Sequence, residues 1–331
     1  MVNVAVVGAG YGSYGLAPAF QRAGATVVGL CAPSAERRDR TAAALGIPHT
    51  ATDLASLAAL TRIDAVAIAV PPDRQTAIAT WALESGLPVF AEKPLGASLA
   101  EVEALANLAA HKGLPTAIDF LFPELPAWRA AKELLEDGAI GALRHVTVAW
   151  NFESYDHRHG LKGWKTDPQR GGGALRHFGS HVLYYLEWLC GPLADVAGAT
   201  SSWPGGIGDS LVSLHARTAG GSGVAATICN AAPHGDGHAI RLFGDAGAIA
   251  LVNASADPVD FTLELQGRAD AAPTRPTLPA DGPPLAAGTD PRVAPISRIA
   301  RRFLAAIRAG EQLRPSFADG LRIQRHIESL V

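Results

Sequence analysis

The chain has 331 residues, room for two domains of ordinary size, and 48% of them are hydrophobic against 18% charged. A formal net charge of −3, with the short basic cluster Arg37, Arg38 and Arg40 offset by Glu36 and Asp39, leaves no basic footprint for nucleic acid. No apolar run approaches the ~20 residues needed to span a bilayer, and three widely spaced cysteines (Cys31, Cys190, Cys229) argue against a disulfide framework or a cysteine zinc site.

The chain opens Met-Val-Asn on a strand-like segment, residues 2–7, with no basic leader, the pattern expected of a cytoplasmic protein. A Gly-rich turn leads into a helix over 13–23, followed by a strand at 26–31 and a helix over 34–45. Ile63–Val70 is a continuous apolar strand closed by Pro71-Pro72. A helix over 73–85, a strand at 88–91, a helix over 98–112 and a short strand near 115–119 complete the first part. Strands that are apolar throughout and alternate with helices predict a parallel sheet covered on both faces. Beyond residue 120 the pattern changes. A helix over 125–136 precedes a polar strand at 144–150, a loop at 151–172 and a helix over 173–189. Strand-like segments follow near 192–202, 208–217, 222–231, 238–243, 248–253 and 258–266, with Gly, Asn and Asp in the turns, which predicts an antiparallel sheet. Residues 267–292 read as a long connection, and helices over 294–309 and 316–329 close the chain. The predicted division is 1–120 and 121–331.

Gly8-Ala9-Gly10-Tyr11-Gly12-Ser13-Tyr14-Gly15 follows the first strand and opens a helix, the context a dinucleotide fingerprint requires. Glycines let the backbone turn sharply and approach a pyrophosphate, and the helix N-terminus offers N–H groups to the anion. Gly8 and Gly10 with Ser13 in the third slot, and Gly12 giving extra room, fit best; Gly10, Gly12 and Gly15 match the pattern literally but start two residues late. At the end of the second strand, where a carboxylate would hold the adenine ribose, the chain reads Cys31-Ala32-Pro33-Ser34. With no acid there, and with Ser34, Arg37 and Arg38 close by, NADP is favoured over NAD; Arg37 and Arg38 also fit an ordinary solvated helix face.

Pro88-Val-Phe-Ala-Glu92-Lys93-Pro94 places a charged pair at the end of an apolar parallel strand, where open α/β sheets hold their ligands. A lysine there can hydrogen-bond a reacting hydroxyl or carbonyl and lower the cost of developing negative charge. A cis Pro94 would fix its direction. A solvent-exposed strand end with a turn proline is the alternative.

These motifs together resemble the glucose–fructose oxidoreductase/inositol dehydrogenase (Gfo/Idh/MocA) family. The likeness runs through the Gly loop, Pro71-Pro72, Glu92-Lys93-Pro94, Gly171-Gly172-Gly173-Ala174-Leu175, Gly179-Ser180-His181 and Pro315-Ser-Phe-Ala-Asp-Gly320. It implies a Rossmann domain, then an α+β domain with a large, mainly antiparallel open sheet whose outer face joins a homo-oligomer, a dimer or tetramer. It implies NADP or NAD as cofactor and a sugar, cyclitol or related polyol as substrate, oxidised or reduced at a hydroxyl or carbonyl carbon. Cofactor contacts are expected from Gly8, Gly10, Tyr11, Gly12, Ser13, Ala32, Ser34, Arg37, Arg38, Pro71, Gln75, Glu92 and Lys93.

Gly-Gly-Gly-Ala-Leu-Arg176-His177-Phe-Gly-Ser-His181 departs from the family pattern, which has Asp where His177 stands. His181 falls on the family's histidine. His177 and His181 are four apart, on one helical face, and an imidazole with an unperturbed pKa near 6.5 can take a hydroxyl proton as hydride leaves. Lys93, His181 and His177 are the candidate catalytic residues. No carboxylate completes a zinc site with His157 or His159, so no metal is expected. Gln75 stands where the family often has His, and Ile118-Asp119-Phe120-Leu121 where it often shows Asn and Arg. These departures bear on the substrate. Substrate contacts are expected from Lys93, Asp119, Trp164, Lys165, His177 and His181, with Trp164 as a stacking face. Alternatives are a same-fold reductase of an imine or another double bond, and a non-catalytic NAD(P)-binding regulator.

Overall fold

The computed structural model describes residues 1–203, 208–255, 257–279 and 282–330. They fall into two compact units, one of residues 1–121 and 285–324, the other of 122–284 and 325–331.

The first unit begins with β1 (Asn3–Val7), a π turn over Gly12–Leu16, α1 (Ala17–Arg22), β2 (Thr26–Cys31), α2 (Ala35–Leu45), β3 (His49–Ala51) and α3 (Leu54–Ala58). It continues through β4 (Ala65–Ile68), α4 (Pro72–Glu84), β5 (Val89–Ala91), α5 (Leu99–Lys112) and β6 (Thr116–Ile118). The strands form one parallel sheet in the order β3-β2-β1-β4-β5-β6. Its apolar runs are buried on both faces: Val4–Val6, Ala65–Ile68 and Val89–Ala91 have no exposed surface. Strand order reverses between β1 and β4, so a crevice opens beyond their carboxyl ends. The sequence reading missed β3 and α3. Three residues, His-Thr-Ala, are too few to show a period, and α3 is a single short helix nucleated by Asp53, whose side chain accepts from the Ser56 N–H.

The second unit holds α6 (Pro126–Glu136), β7 (Leu143–Asn151), α7 (Tyr155–Arg158), α8 (Ser180–Cys190), β8 (Leu193–Ser201), β9 (Leu211–Thr218), β10 (Gly223–Cys229), β11 (Gly237–Gly244), β12 (Gly247–Asn253) and β13 (Thr262–Gly267). The sheet order is β13-β12-β11-β7-β10-β9-β8, antiparallel throughout except for β7 beside β10. β9 alternates strictly between exposed and buried positions, so one face of the sheet is core and the other is not. The segment expected as loop at 151–172 carries α7 and two 3₁₀ turns, Trp164–Thr166 and Pro168–Arg170. The helix expected from 173 opens with a π turn, Leu175–Gly179, before α8.

Residues 121–331 do not form one body as read from sequence. α9 (Val293–Ala309) belongs to the first unit, because its buried stripe of Ile296, Ile299, Ala300 and Phe303 packs on that unit's core. Phe303 meets Phe20 and Phe90 edge-on, with ring centroids 6.2 and 6.0 Å away. α10 (Phe317–Glu328) starts in the first unit and ends in the second. The 267–292 connection makes an isolated bridge, Leu265 to Thr274, and its residues 280–281 lie outside the described residues. Among the described residues no helix is long and apolar enough to cross a membrane.

Candidate active site

The glycines after β1 divide the labour. Gly8 has φ +115°, and a Cβ there would overlap the Ala69 carbonyl oxygen, so this position makes the tight turn. At Gly10 a Cβ would meet nothing within 4 Å, and that open space is the room a pyrophosphate needs above the backbone. Gly12 lies against Val6 and Ala69, where a Cβ would sit 3.2 Å from Val6 Cγ1, so close helix–strand packing falls to Gly12. Ser13 instead closes the turn, its Oγ donating to the Gly10 carbonyl at 2.6 Å. The helix opens with a π turn, which moves the close approach off the expected third slot. Tyr11 folds back over Gly15, whose missing side chain makes way for the ring. The cradle fits a dinucleotide.

Beyond β2, Ala32 is buried and its carbonyl accepts from Arg38 Nη1 at 3.1 Å, while Arg38 Nε donates to Asp39 at 2.9 Å. Ser34 is the N-cap of α2 and makes no capping bond with its side chain, and Arg37 is exposed. Burial pushes the Cys31 thiol up to about 12, so it stays protonated.

At the end of β5 the Lys93–Pro94 bond is cis. Gln75, read as a cofactor contact, is fully buried on α4 and spends its amide on this turn. Its Nε2 donates to the carbonyls of Glu92, Pro94 and Leu95 at 2.7, 3.1 and 3.2 Å. Pro71 is the N-cap of α4, and its carbonyl accepts from the Gln75 N–H at 3.1 Å. The main chain sets Asp119 beside Glu92: Asp119 N–H donates to the Ala91 carbonyl at 3.0 Å and Glu92 N–H to the Ile68 carbonyl at 2.9 Å. Burial first, and Asp119 second, raise the Glu92 pKa well above the carboxylate range. Among the described residues the buried Tyr11 hydroxyl has no hydrogen-bond partner, and burial with the charges of Asp119 and Glu92 raises its pKa. Arg292 lies 4.5 Å from the centre of the Tyr11 ring and is held by Asp290 through Nε at 2.9 Å and Nη2 at 2.7 Å. In the first unit, then, the chain gathers Tyr11, Glu92, Lys93 and Asp119, all expected, with Arg292 and Asp290, which were not. No local pattern marks the last two, which lie in the stretch read as connection.

In the second unit the Gly171–Gly173 turn is packed from both sides. A Cβ on Gly172 would overlap the Trp164 carbonyl oxygen, and one on Gly173 (φ +86°) the Asp209 carboxylate. Asp209 Oδ2 accepts from the Leu175 N–H at 2.8 Å at the head of the helix, and burial raises its pKa. This fixes Trp164 beside His177, ring edge to face at 5.2 Å. His181 is buried, 5.0 Å from the Phe122 ring, in an aromatic box that also holds Trp150. His177 and His181 therefore have different ring neighbours. Lys165 is exposed, with Asp156 3.8 Å away. His238, which the sequence did not single out, stacks on Trp150 at 4.2 Å and is hydrogen-bonded to Tyr185 at 3.0 Å; burial lowers its pKa to about 3, so it is neutral. Among the described residues no three His, Cys, Asp or Glu side chains cluster as a metal site.

Residues 2–120 match the GFO_IDH_MocA oxidoreductase family with its NAD-binding Rossmann fold, and 128–250 match the GFO/IDH/MocA C-terminal domain. An uncharacterised oxidoreductase of Synechocystis is 27% identical over 98% of this chain and 91% of its own. The D-apiose dehydrogenase of Paraburkholderia graminis is 27% identical over 92% and 80%. Among solved structures, levoglucosan dehydrogenase with NADH and levoglucosan superposes with a TM-score of 0.86 at 21% identity, over 99% of this chain and 96% of that one. A 3-ketoreductase from Actinomadura kijaniata with NADP and TDP-benzene gives 0.81 at 19%, over 99% and 96%. The chain belongs to the Gfo/Idh/MocA family and is an NAD(P)-dependent oxidoreductase.

Proposed function

We propose that the chain moves hydride reversibly between nicotinamide and a hydroxyl or carbonyl carbon of a sugar, cyclitol or related polyol. The observation that carries this reading is the Glu92-Lys93-Pro94 turn, clamped by Gln75 at the end of β5 in the same unit as the open cradle at Gly10. The dinucleotide supplies the hydride acceptor or donor. The chain's own residues do the rest. Gly10, Tyr11 and Gly12 offer backbone N–H groups to the pyrophosphate, while Gly8 and Ser13, whose N–H groups donate to the Cys31 and Gly10 carbonyls, shape the turn that receives it. Ser34, Arg37 and Arg38, with no carboxylate at the end of β2, favour the 2′-phosphate of NADP. The Lys93 ammonium donates to the substrate oxygen and stabilises negative charge there. His181 takes or returns the hydroxyl proton, with His177 beside Trp164 as the second imidazole. Trp164 offers a sugar ring an apolar face, and Asp119 and Lys165 add polar contacts. Relatives named as D-apiose dehydrogenase and levoglucosan dehydrogenase support the sugar class. The solvent-facing side of β9 and β10, which includes Ser213, Ala225 and Thr227, supports a homo-oligomer formed through that sheet.

The test is a panel of aldoses, inositols and anhydrosugars with NADP⁺ and NAD⁺, run on the wild type, Lys93→Ala and His181→Ala. Turnover of a panel member that drops at least about a hundredfold in both variants is expected. Full activity in both variants overturns the assignment.

A further inference from the structure

Glycine loses more conformational freedom on ordering than any other residue, so a glycine loop that is to meet a ligand in one shape must be held from outside. Main-chain bonds fix the two ends of the loop after β1, through the N–H groups of Gly8 and Ser13. Between them, in Ala9-Gly10-Tyr11-Gly12, only Tyr11 carries more than a methyl group, so the stretch has one side chain by which it can be gripped. That ring is fixed on three sides. It lies over Gly15, where a Cβ would come within 2.7 Å of it; Tyr14 meets it edge-on, with ring centroids 5.2 Å apart; and the Arg292 guanidinium stands 4.5 Å from its centre. Among the described residues its hydroxyl has no hydrogen-bond partner, so the attachment is made by the ring and not by the oxygen. We propose that Arg292 is a positioning residue for the dinucleotide: it grips Tyr11 and so holds the N–H groups of Gly10, Tyr11 and Gly12 in the arrangement that a pyrophosphate requires.

Arg292 can grip because it is itself held. Asp290 takes its guanidinium in a fork, Nε at 2.9 Å and Nη2 at 2.7 Å, and also accepts from the Arg292 N–H at 2.9 Å. Arg292 directly precedes α9, whose Phe303 is anchored among Phe20 and Phe90 in the core of the same unit. A stiff path therefore runs from that core through α9 and Arg292 to the middle of the glycine loop. The Arg292–Asp290 pair carries no net charge, so attraction of the pyrophosphate from a distance is not what it supplies. A loop already ordered has little freedom left to lose when the cofactor binds, and the saving appears as affinity.

The inference rests on the proposed role of the glycine loop, and its test separates the two without any turnover. Binding of NADPH, and of ADP-ribose, which has the pyrophosphate but no nicotinamide, is measured by calorimetry on the whole protein and its variants, with the melting midpoint of each read alongside. Arg292→Met is expected to weaken both ligands about tenfold. Tyr11→Ala should do the same, Tyr11→Phe should stay within about twofold of wild type, and Tyr11→Ala/Arg292→Met should be no weaker than Tyr11→Ala alone, because the two residues act as one device. Asp290→Ala gives the sharpest reading. It removes a negative charge near the loop, so charge attraction alone would tighten binding of an anion, whereas loss of the fork that holds Arg292 should weaken it about threefold. Wild-type affinity in Arg292→Met, tighter binding in Asp290→Ala, additive losses in the double variant, a Tyr11→Phe as weak as Tyr11→Ala, or a loss seen with NADPH but not with ADP-ribose each overturns the positioning role. Full affinity in Gly10→Ala overturns the reading of the loop and the inference with it; wild-type affinity in Arg292→Met beside a weakened Gly10→Ala overturns the inference alone.

Discussion

The chain has two glycine-rich turns at the head of a helix, and they use glycine for opposite ends. The turn after β1 leaves space. A side chain at Gly10 would begin in open space, the room that a pyrophosphate needs above a backbone turn. The turn at Gly171–Gly173 leaves none: the Trp164 carbonyl and the Asp209 carboxylate already fill the positions where side chains would begin. A glycine that lets a ligand approach and a glycine that lets the chain cross itself look the same in sequence. Only the neighbours, brought from elsewhere in the chain, tell them apart.

The widest separation comes from putting a methyl group into each turn. Gly172→Ala drives a Cβ into main chain that cannot yield cheaply, so a loss of about 3 kcal/mol is expected, read as a drop in the thermal midpoint of the second unit. Gly173→Ala adds the strain of φ +86° and should be worse. Gly10→Ala should leave stability within about 0.5 kcal/mol of wild type while NADPH binding, followed by nicotinamide fluorescence, weakens at least about tenfold. A melt shifted as far by Gly10→Ala as by Gly172→Ala would erase the distinction.

What sequence could show follows the same line. The strand–glycine–helix pattern at 2–23 is local, and so were the parallel sheet, the alternation of β9 and the Glu-Lys-Pro turn. The third-slot role was misjudged because a π turn at Gly12–Leu16 shifts the register, and nothing in Gly-Ser-Tyr-Gly-Leu announces a π turn. The Gln75 clamp, the Glu92–Asp119 pair and the Arg292–Tyr11 contact join residues from separate elements. No periodicity reports such pairings. α9 was assigned to the wrong body for the same reason: its amphipathic stripe was legible, but which core it would cover was not.

The second turn also titrates. Asp209 holds its proton more tightly in the folded chain than in the unfolded one, where the ordinary value is 3.8. With the folded pKa raised, its contribution to stability is fully present below that value and declines as pH rises through the folded pKa. Asp209→Asn keeps an acceptor for the Leu175 N–H and removes the titration, so the fall of the melting midpoint above pH ~4 should be shallower in the variant. An unchanged pH slope would mean that this carboxyl does not feel the packing around Gly173.

The smallest effect belongs to the rim of the first turn. Arg37 is exposed on α2, whose N-cap Ser34 makes no side-chain capping bond, whereas Arg38 is tied to the Ala32 carbonyl and to Asp39. A charge in open solvent is screened by salt and contributes little to the fold. Arg37→Ala should therefore leave the melt unchanged and lower the preference for NADP over NAD by only a few-fold, on the order of 0.5–1 kcal/mol, with the difference shrinking as salt is added. Arg38→Ala should weaken NADP binding by more, because the fixed guanidinium is already oriented, and should also loosen the end of β2. If neither substitution changes the ratio of the two affinities, the missing carboxylate after β2 marks tolerance of both cofactors and not selection of NADP.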